Sequence, residues 1–196
     1  MNEAVSHPQG RLPPRSAPSA AVHFLPLELA KWSASPADAL VLPIFSDVRP
    51  LRGAAGLADW RLCGRISRML KSGRVGGKNG ETILFPPSRA RLPFSRILLF
   101  GVGEAAGFQE TAYIAEAARI RAVLKNAGLS SYAIQLPGRC VGSLSAARSL
   151  ELWLDIASSS LSSPSPSMDE LATVLFIDTP AGQREMTDVL RRRRGL

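Results

Sequence analysis

Short apolar runs alternate along this chain with longer stretches in which apolar residues recur every three or four positions. The runs Ala21–Leu25, Ala39–Phe45, Thr82–Phe85, Arg96–Phe100, Tyr132–Leu136 and Ala172–Ile177 predict strands. The amphipathic stretches Leu57–Lys71, Glu110–Ala127, Leu144–Ser158 and Gln183–Arg193 predict helices. Strands this apolar are covered on both faces, so the interleaving predicts an α/β sheet flanked by helices on both sides. Residues 1–20, rich in Pro and Ser, predict a disordered tail, and "SSSLSSPSPS" at 158–167 a flexible loop. That leaves a single domain over 21–190 and a short basic tail at 191–196, with no internal repeat.

The first predicted helix has two distinct sides. At 100° per residue Leu62, Cys63, Ile66, Met69 and Leu70 face the sheet, while Arg61, Arg65, Arg68 and Lys71 form the opposite side. Those four cations make a stripe about 15 Å long, and Arg74 and Lys78 extend it past the end of the helix. Such a stripe suits a solvated face or the phosphates of a nucleic acid, and both readings stay open. Few aromatic residues interleave with the cations, so phosphate contact would be independent of base sequence. Arg191–Arg194 could add to it.

Charge sharpens this picture. The net charge is +8, and residues 52–96 hold ten Lys and Arg against only Asp59 and Glu81. An asymmetry of this kind points to an acidic partner. With 196 residues, 45% apolar and 20% charged, the chain has the makeup of a soluble globular protein. No apolar run approaches the length that spans a bilayer, and the first residues lack the apolar segment of a signal peptide, so a cytoplasmic location without a membrane partner is expected. Cys63 and Cys140 form no CxxC pair and are expected to be buried, reduced thiols.

The basic, glycine-rich "GRVGGKNG" at 73–80 has a Gly77-Lys78 pair, but Ser72 stands where a phosphate loop needs its first glycine and Asn79 where it needs a hydroxyl. A helix also precedes this loop and would offer phosphate its negative C-terminal end. The loop therefore reads as a turn in which Gly77 and Gly80 take positive φ. Gly101-Val-Gly-Glu-Ala-Ala106 fits G-x-G-x-x-[GA], yet the following strand ends without the acid that a dinucleotide ribose requires. There is no G-x-S-x-G elbow. His7 lies in the tail and His23 in the first strand, as a half-buried residue; Asp38, Asp47 and Asp59 are scattered. Asp178, at the end of the last strand, suits either a site residue or the N-cap of the next turn, and the cap is the favoured reading.

The run 50–85, "PLRGAAGLADWRLCGRISRMLKSGRVGGKNGETILF", followed by "RILLFGVG", resembles the N-terminal domain of the leucyl aminopeptidase (cytosol aminopeptidase) family. The resemblance rests on Gly53…Gly56-Leu57, Asp59, Arg61-Leu62, Gly64, the Gly77-Lys78…Gly80-Glu81 turn and Gly101-Val-Gly103, in that order and spacing. It covers about residues 21–137, and "ATVLFIDTPAGQREMTDVL" would complete the same domain. The resemblance implies a macro-domain-like mixed sheet between helices. In that family two metal ions and the motif N-T-D-A-E-G-R belong to a separate C-terminal domain, and no such motif occurs here. It therefore implies a non-enzymatic accessory domain without metal or cofactor. The implied partners are nucleic acid, a second copy or a full-length aminopeptidase. The alternative is a macro-type ADP-ribose or nucleotide site at Asp38, Gly53 and Gly56, although the strand lacks the macro-domain Asn and "RGAAG" is a depleted glycine run.

Overall fold

The computed structural model describes residues 22–33, 35–87, 91–159 and 173–195. The predicted tail at 1–20 and nearly all of the loop at 158–167 lie outside them. Six strands form one sheet: β1 (Val22–Pro26), β2 (Ala39–Ile44), β3 (Thr82–Phe85), β4 (Arg96–Gly101), β5 (Ser131–Ile134) and β6 (Thr173–Asp178). Their order is β1-β6-β5-β2-β4-β3, parallel throughout except for the antiparallel β3–β4 pair at one edge. Between them run α1 (Leu29–Trp32), α2 (Gly53–Arg61), α3 (Arg65–Lys71), α4 (Glu110–Asn126), α5 (Ala146–Ser159) and α6 (Pro180–Arg194).

The two-residue period of a strand sends successive side chains to opposite faces. In β2, Leu40, Leu42 and Ile44 enter the core beneath α1, α2 and α3, built with Trp32, Ala54, Ala55, Ala58 and Ile66. Ala39 and Val41 enter the other core with Tyr113, Ile120, Leu150, Trp153 and Met186 of α4, α5 and α6. Three layers result, with helices on both faces of a mixed sheet, as the apolar pattern predicts. No helix among the described residues is long and apolar enough to cross a membrane.

The stretch predicted as one helix over Leu57–Lys71 is two helices. α2 ends at Arg61, and Cys63 (φ 54°) and Gly64 (φ 73°) take left-handed backbone before α3 starts. Asp59 fixes the break from α2: its buried carboxylate accepts the Ser67 amide at 3.0 Å and the Ser67 hydroxyl. A carboxylate at the first turn of α3 satisfies an otherwise orphaned amide and complements the helix dipole. Ile66 and Leu62 are buried as expected, whereas Cys63 is turned outward and exposed. His23 is likewise exposed, on edge strand β1.

The basic run expected as a separate tail continues α6 as far as Arg194. Arg191 pairs with Asp188, Arg192 with Glu151, and Arg193 with Asp155 and the Glu151 carbonyl. Arg192 and Arg193 fasten the end of α6 to α5, while Arg191 pairs within α6 itself.

Candidate functional site

In an open α/β sheet the place to look for a ligand is the edge formed by the carboxyl ends of the parallel strands. Here that edge collects the residues after Ile44, Gly101, Ile134 and Asp178. The N-terminus of α2 meets it directly, because α2 follows β2 after a short loop. A helix N-terminus presents free amides and positive potential.

That potential anion site is filled by the protein itself. The buried Gln135 side chain, just beyond β5, accepts the Ala54 amide at 2.8 Å. A Cβ placed on Gly53 (φ 60°) would stand 2.1 Å from Gln135 Oε1 and 3.0 Å from Cys140 Cβ. The remaining space among Phe45, Val48, Leu51, Arg52, Ala55 and Cys140 is about 10 Å³, at most a single water. Burial there pushes the Cys140 thiol above its ordinary range.

The loop 73–80 crosses the same edge and is also satisfied internally. The amides of Gly76 and Gly77 both donate to the Glu81 carboxylate, at 2.8 and 2.6 Å to Oε2. Gly77 takes φ 74° and Gly80 φ 85°, as the turn reading requires. The loop lies flat on the strand ends: a Cβ on Gly77 would meet the Phe45 carbonyl at 2.6 Å, and one on Gly101 the Lys78 carbonyl at 2.1 Å. The G-x-G turn is a structural crossing of the same kind, with the Gly103 amide donating to the Gly77 carbonyl at 3.0 Å.

An ion pair between buried Asp178 and half-buried Arg139 closes the edge at β6. Asp178 accepts from Arg139 Nε at 2.8 Å and from Nη2 at 3.1 Å, with side-chain exposures of 2% and 14%. Arg139 Nη1 donates to the Leu144 carbonyl, and the hydrogen bond to Asp178 raises the arginine pKa further. The N-cap of α6 is Thr179, whose hydroxyl accepts the Gly182 amide, rather than Asp178.

Asp38 does not join this edge. It precedes β2, is exposed, and uses its carbonyl to hold Ser95, whereas Gly53 and Gly56 follow the other end of that six-residue strand. Six residues of strand put the two ends roughly 17–20 Å apart. Gly56 has a packing role, since a Cβ there would stand 2.5 Å from the Leu51 carbonyl. The three residues named as a small-ligand set are thus divided between opposite ends of the sheet.

The six cations are divided as well. Arg65, Arg68, Lys71 and Arg74 line one open surface concavity of about 610 Å³ with Met69 and Ser72. Arg61 lines a second, of about 600 Å³, with Trp60, Cys63 and Arg91, and Lys78 sits on the loop over Gly101. Several are tethered: Arg61 Nε to the Arg91 carbonyl at 2.8 Å, Arg65 to the Pro86 carbonyl at 3.1 Å, and Arg68 to the Cys63 carbonyl at 2.6 Å. Arg65 also lies over the Phe85 ring at 5.0 Å. Arg91 meets the Cys63 thiol. Among the described residues no group of His, Cys, Asp and Glu is arranged to hold a metal ion.

Of the two residues that occupy the edge, Glu81 stands in the sequence only as part of a turn signature, and Gln135 belongs to no motif. Each left a trace there: Gln135 interrupts an apolar strand run, and Glu81 is the one acid between Asp59 and Glu104.

The layered mixed sheet and its helix order define a macro-domain-like α/β protein. Residues 41–151 match the N-terminal domain of the cytosol aminopeptidase family, and the chain belongs to that family. A probable cytosol aminopeptidase of Burkholderia multivorans is 42% identical over 76 residues, 39% of this chain and 15% of the relative; that of Burkholderia lata is 41% identical over the same length. The matched segment thus spans about 15% of the curated relatives' length. Among solved structures, a tomato leucine aminopeptidase mutant superposes with TM-score 0.56 at 18% identity, covering 95% of this chain and 38% of that one. A Trypanosoma brucei macrodomain in complex with ADP gives TM-score 0.65 at 14% identity, covering 88% and 69%. At such identities the two structures speak for the fold alone.

Proposed function

We propose that this domain is a non-catalytic binding module within the cytosol aminopeptidase family, and that its α3 face contacts the phosphates of a nucleic acid. The observation that carries the reading is the convergence of Arg65, Arg68, Lys71 and Arg74 on one concavity without a carboxylate among its lining residues. Tethers at Arg65 and Arg68 hold two of the guanidiniums in place beforehand, which lowers the ordering cost of binding. Contacts of this kind are electrostatic and independent of base sequence.

Fluorescence anisotropy with a labelled 20-base-pair duplex tests it. Affinity should fall with salt at a log–log slope of roughly −3 to −4 for about four phosphates. Lys71→Glu with Arg74→Glu, two exposed substitutions, should weaken binding at least tenfold at low salt. Unchanged affinity in that double variant would refute the nucleic-acid reading.

A macro-type nucleotide site has less support, because the edge that would house it holds Gln135 and the Glu81 carboxylate against the free amides.

A further inference from the structure

Edge strand β3 leaves part of its backbone without a partner among the described residues. Gly101 donates its amide to the Glu81 carbonyl, so Glu81 and Gly101 form a hydrogen-bonded antiparallel pair. Hydrogen-bonded and non-bonded pairs alternate along such a ladder. The register Thr82↔Phe100, Ile83↔Leu99, Leu84↔Leu98, Phe85↔Ile97 therefore turns the amides and carbonyls of Ile83 and Phe85 toward β4. Those of Thr82 and Leu84 point away from the sheet. Both residues are exposed, Leu84 to 60%. Pro86 and Pro87 end the strand, which confines any added strand to this short register.

The two sides of this edge differ chemically. Leu84 pairs with Leu98 on the face covered by α4, while Ile83 and Phe85 lie on the face of α2 and α3. On that second face Arg65 lies over Phe85 and opens the cationic concavity with Arg68, Lys71 and Arg74. A second copy of this chain would bring the same cations against them, whereas an acidic strand would be drawn in.

We propose that β3 accepts an extended acidic segment of a partner protein as a seventh strand. The segment pairs with the outward amides and carbonyls of Thr82 and Leu84 and alternates apolar with acidic residues. Its apolar positions lie beside Leu84, and its acidic ones face Arg65 and the α3 concavity. This rests on the strand edge and stands whether or not α3 also meets nucleic acid.

The probe is a labelled peptide, acetyl-Asp-Val-Glu-Val-Glu-Val-Asp-amide, with a Lys-for-acid version as control. Anisotropy should show binding of the acidic peptide alone, and hydrogen exchange should show slowed amides at Thr82 and Leu84. Leu84→Pro removes an outward amide that the β3–β4 ladder does not use, and proline is tolerated at such edge positions. It should weaken binding at least tenfold without changing nucleic-acid affinity. Should that variant fail to fold, N-methylation of alternate peptide amides on the unaltered protein should abolish binding in one register only. Equal binding of both peptides, protection confined to other strands, or β3-dependent dimerisation of the protein alone would each overturn the proposal.

Discussion

The side-chain oxygen of Gln135 sits 2.8 Å from the amide of Ala54, 81 residues earlier in the chain, and so holds the mouth of α2 shut from within. Gln135→Ala should leave that buried amide unsatisfied and cost about 1–3 kcal/mol, read as a lower denaturant midpoint with unchanged m-value. Calorimetry of the unaltered protein with millimolar ADP-ribose should give no binding heat. Saturable heat would show that the edge opens.

Glu81 plays the same part for loop 73–80. Glu81→Ala should destabilise the fold by roughly 1–3 kcal/mol, because two amides lose a charged acceptor. Glu81→Gln keeps one carbonyl oxygen and should recover part of the loss. Hydrogen exchange at Gly76 and Gly77 should accelerate in the alanine variant; unaltered exchange there would contradict the contact.

The Arg139–Asp178 pair offers a sharper contrast. Removing one member of a buried pair strands the other, at a cost of about 3–5 kcal/mol. Arg139→Met should therefore unfold well below the unaltered protein in a thermal melt. Arg139→Met combined with Asp178→Leu should regain much of that stability. A double variant no better than the single one would mean that the charges matter less than their hydrogen bonds to Leu144 and Thr179.

Glu110 should show in the acid limb of the stability curve. Its pKa is held below the ordinary 4.5, chiefly by the hydrogen bond from Arg148, in an exposed pair linking α4 to α5. A depressed folded-state pKa adds stability above the unfolded value and loses it as pH falls through the folded one. Melting temperature plotted against pH should thus fall less steeply below 4.5 in Glu110→Gln.

The two thiols should separate by reactivity. Cys63 is exposed, whereas burial raises the pKa of Cys140 and reduces its thiolate fraction. Iodoacetamide at pH 8 should label Cys63 first, with Cys140 slower by about tenfold or more. Peptide mass spectrometry against time reads this directly, and equal rates would place Cys140 at the surface.

Much of the architecture was legible in the chain because burial leaves a periodic mark. The runs "ALVLPI" and "RILLFG" carry the two-face pattern of central strands and were placed within a residue or two. The break in α2–α3 was not read, because the period of apolar residues continues through it while Asp59 and Gly64 turn the backbone. α1 leaves no periodic mark because four residues make barely one turn, too few for an apolar spacing to repeat. The cation stripe was legible as composition but not as geometry, since the tethers to Arg91, Pro86 and Cys63 are backbone carbonyls that no sequence pattern announces. The plugging of the edge was hidden for a similar reason: Gln135 and Ala54 meet only once β5 and β2 are side by side.

The pairing of β1 with β6 has a consequence for how the chain folds. Val22 lies against Val174, about 150 residues away, and β1 occupies the outermost place beyond β6. The earliest of the described strands to be synthesised thus cannot dock until the latest has formed. Until β1 docks, β6 itself is the open margin of the sheet, and closing so long a loop is a slow, late event. Deleting residues 22–26 should therefore leave the interior strands able to assemble, with β6 as their bare edge.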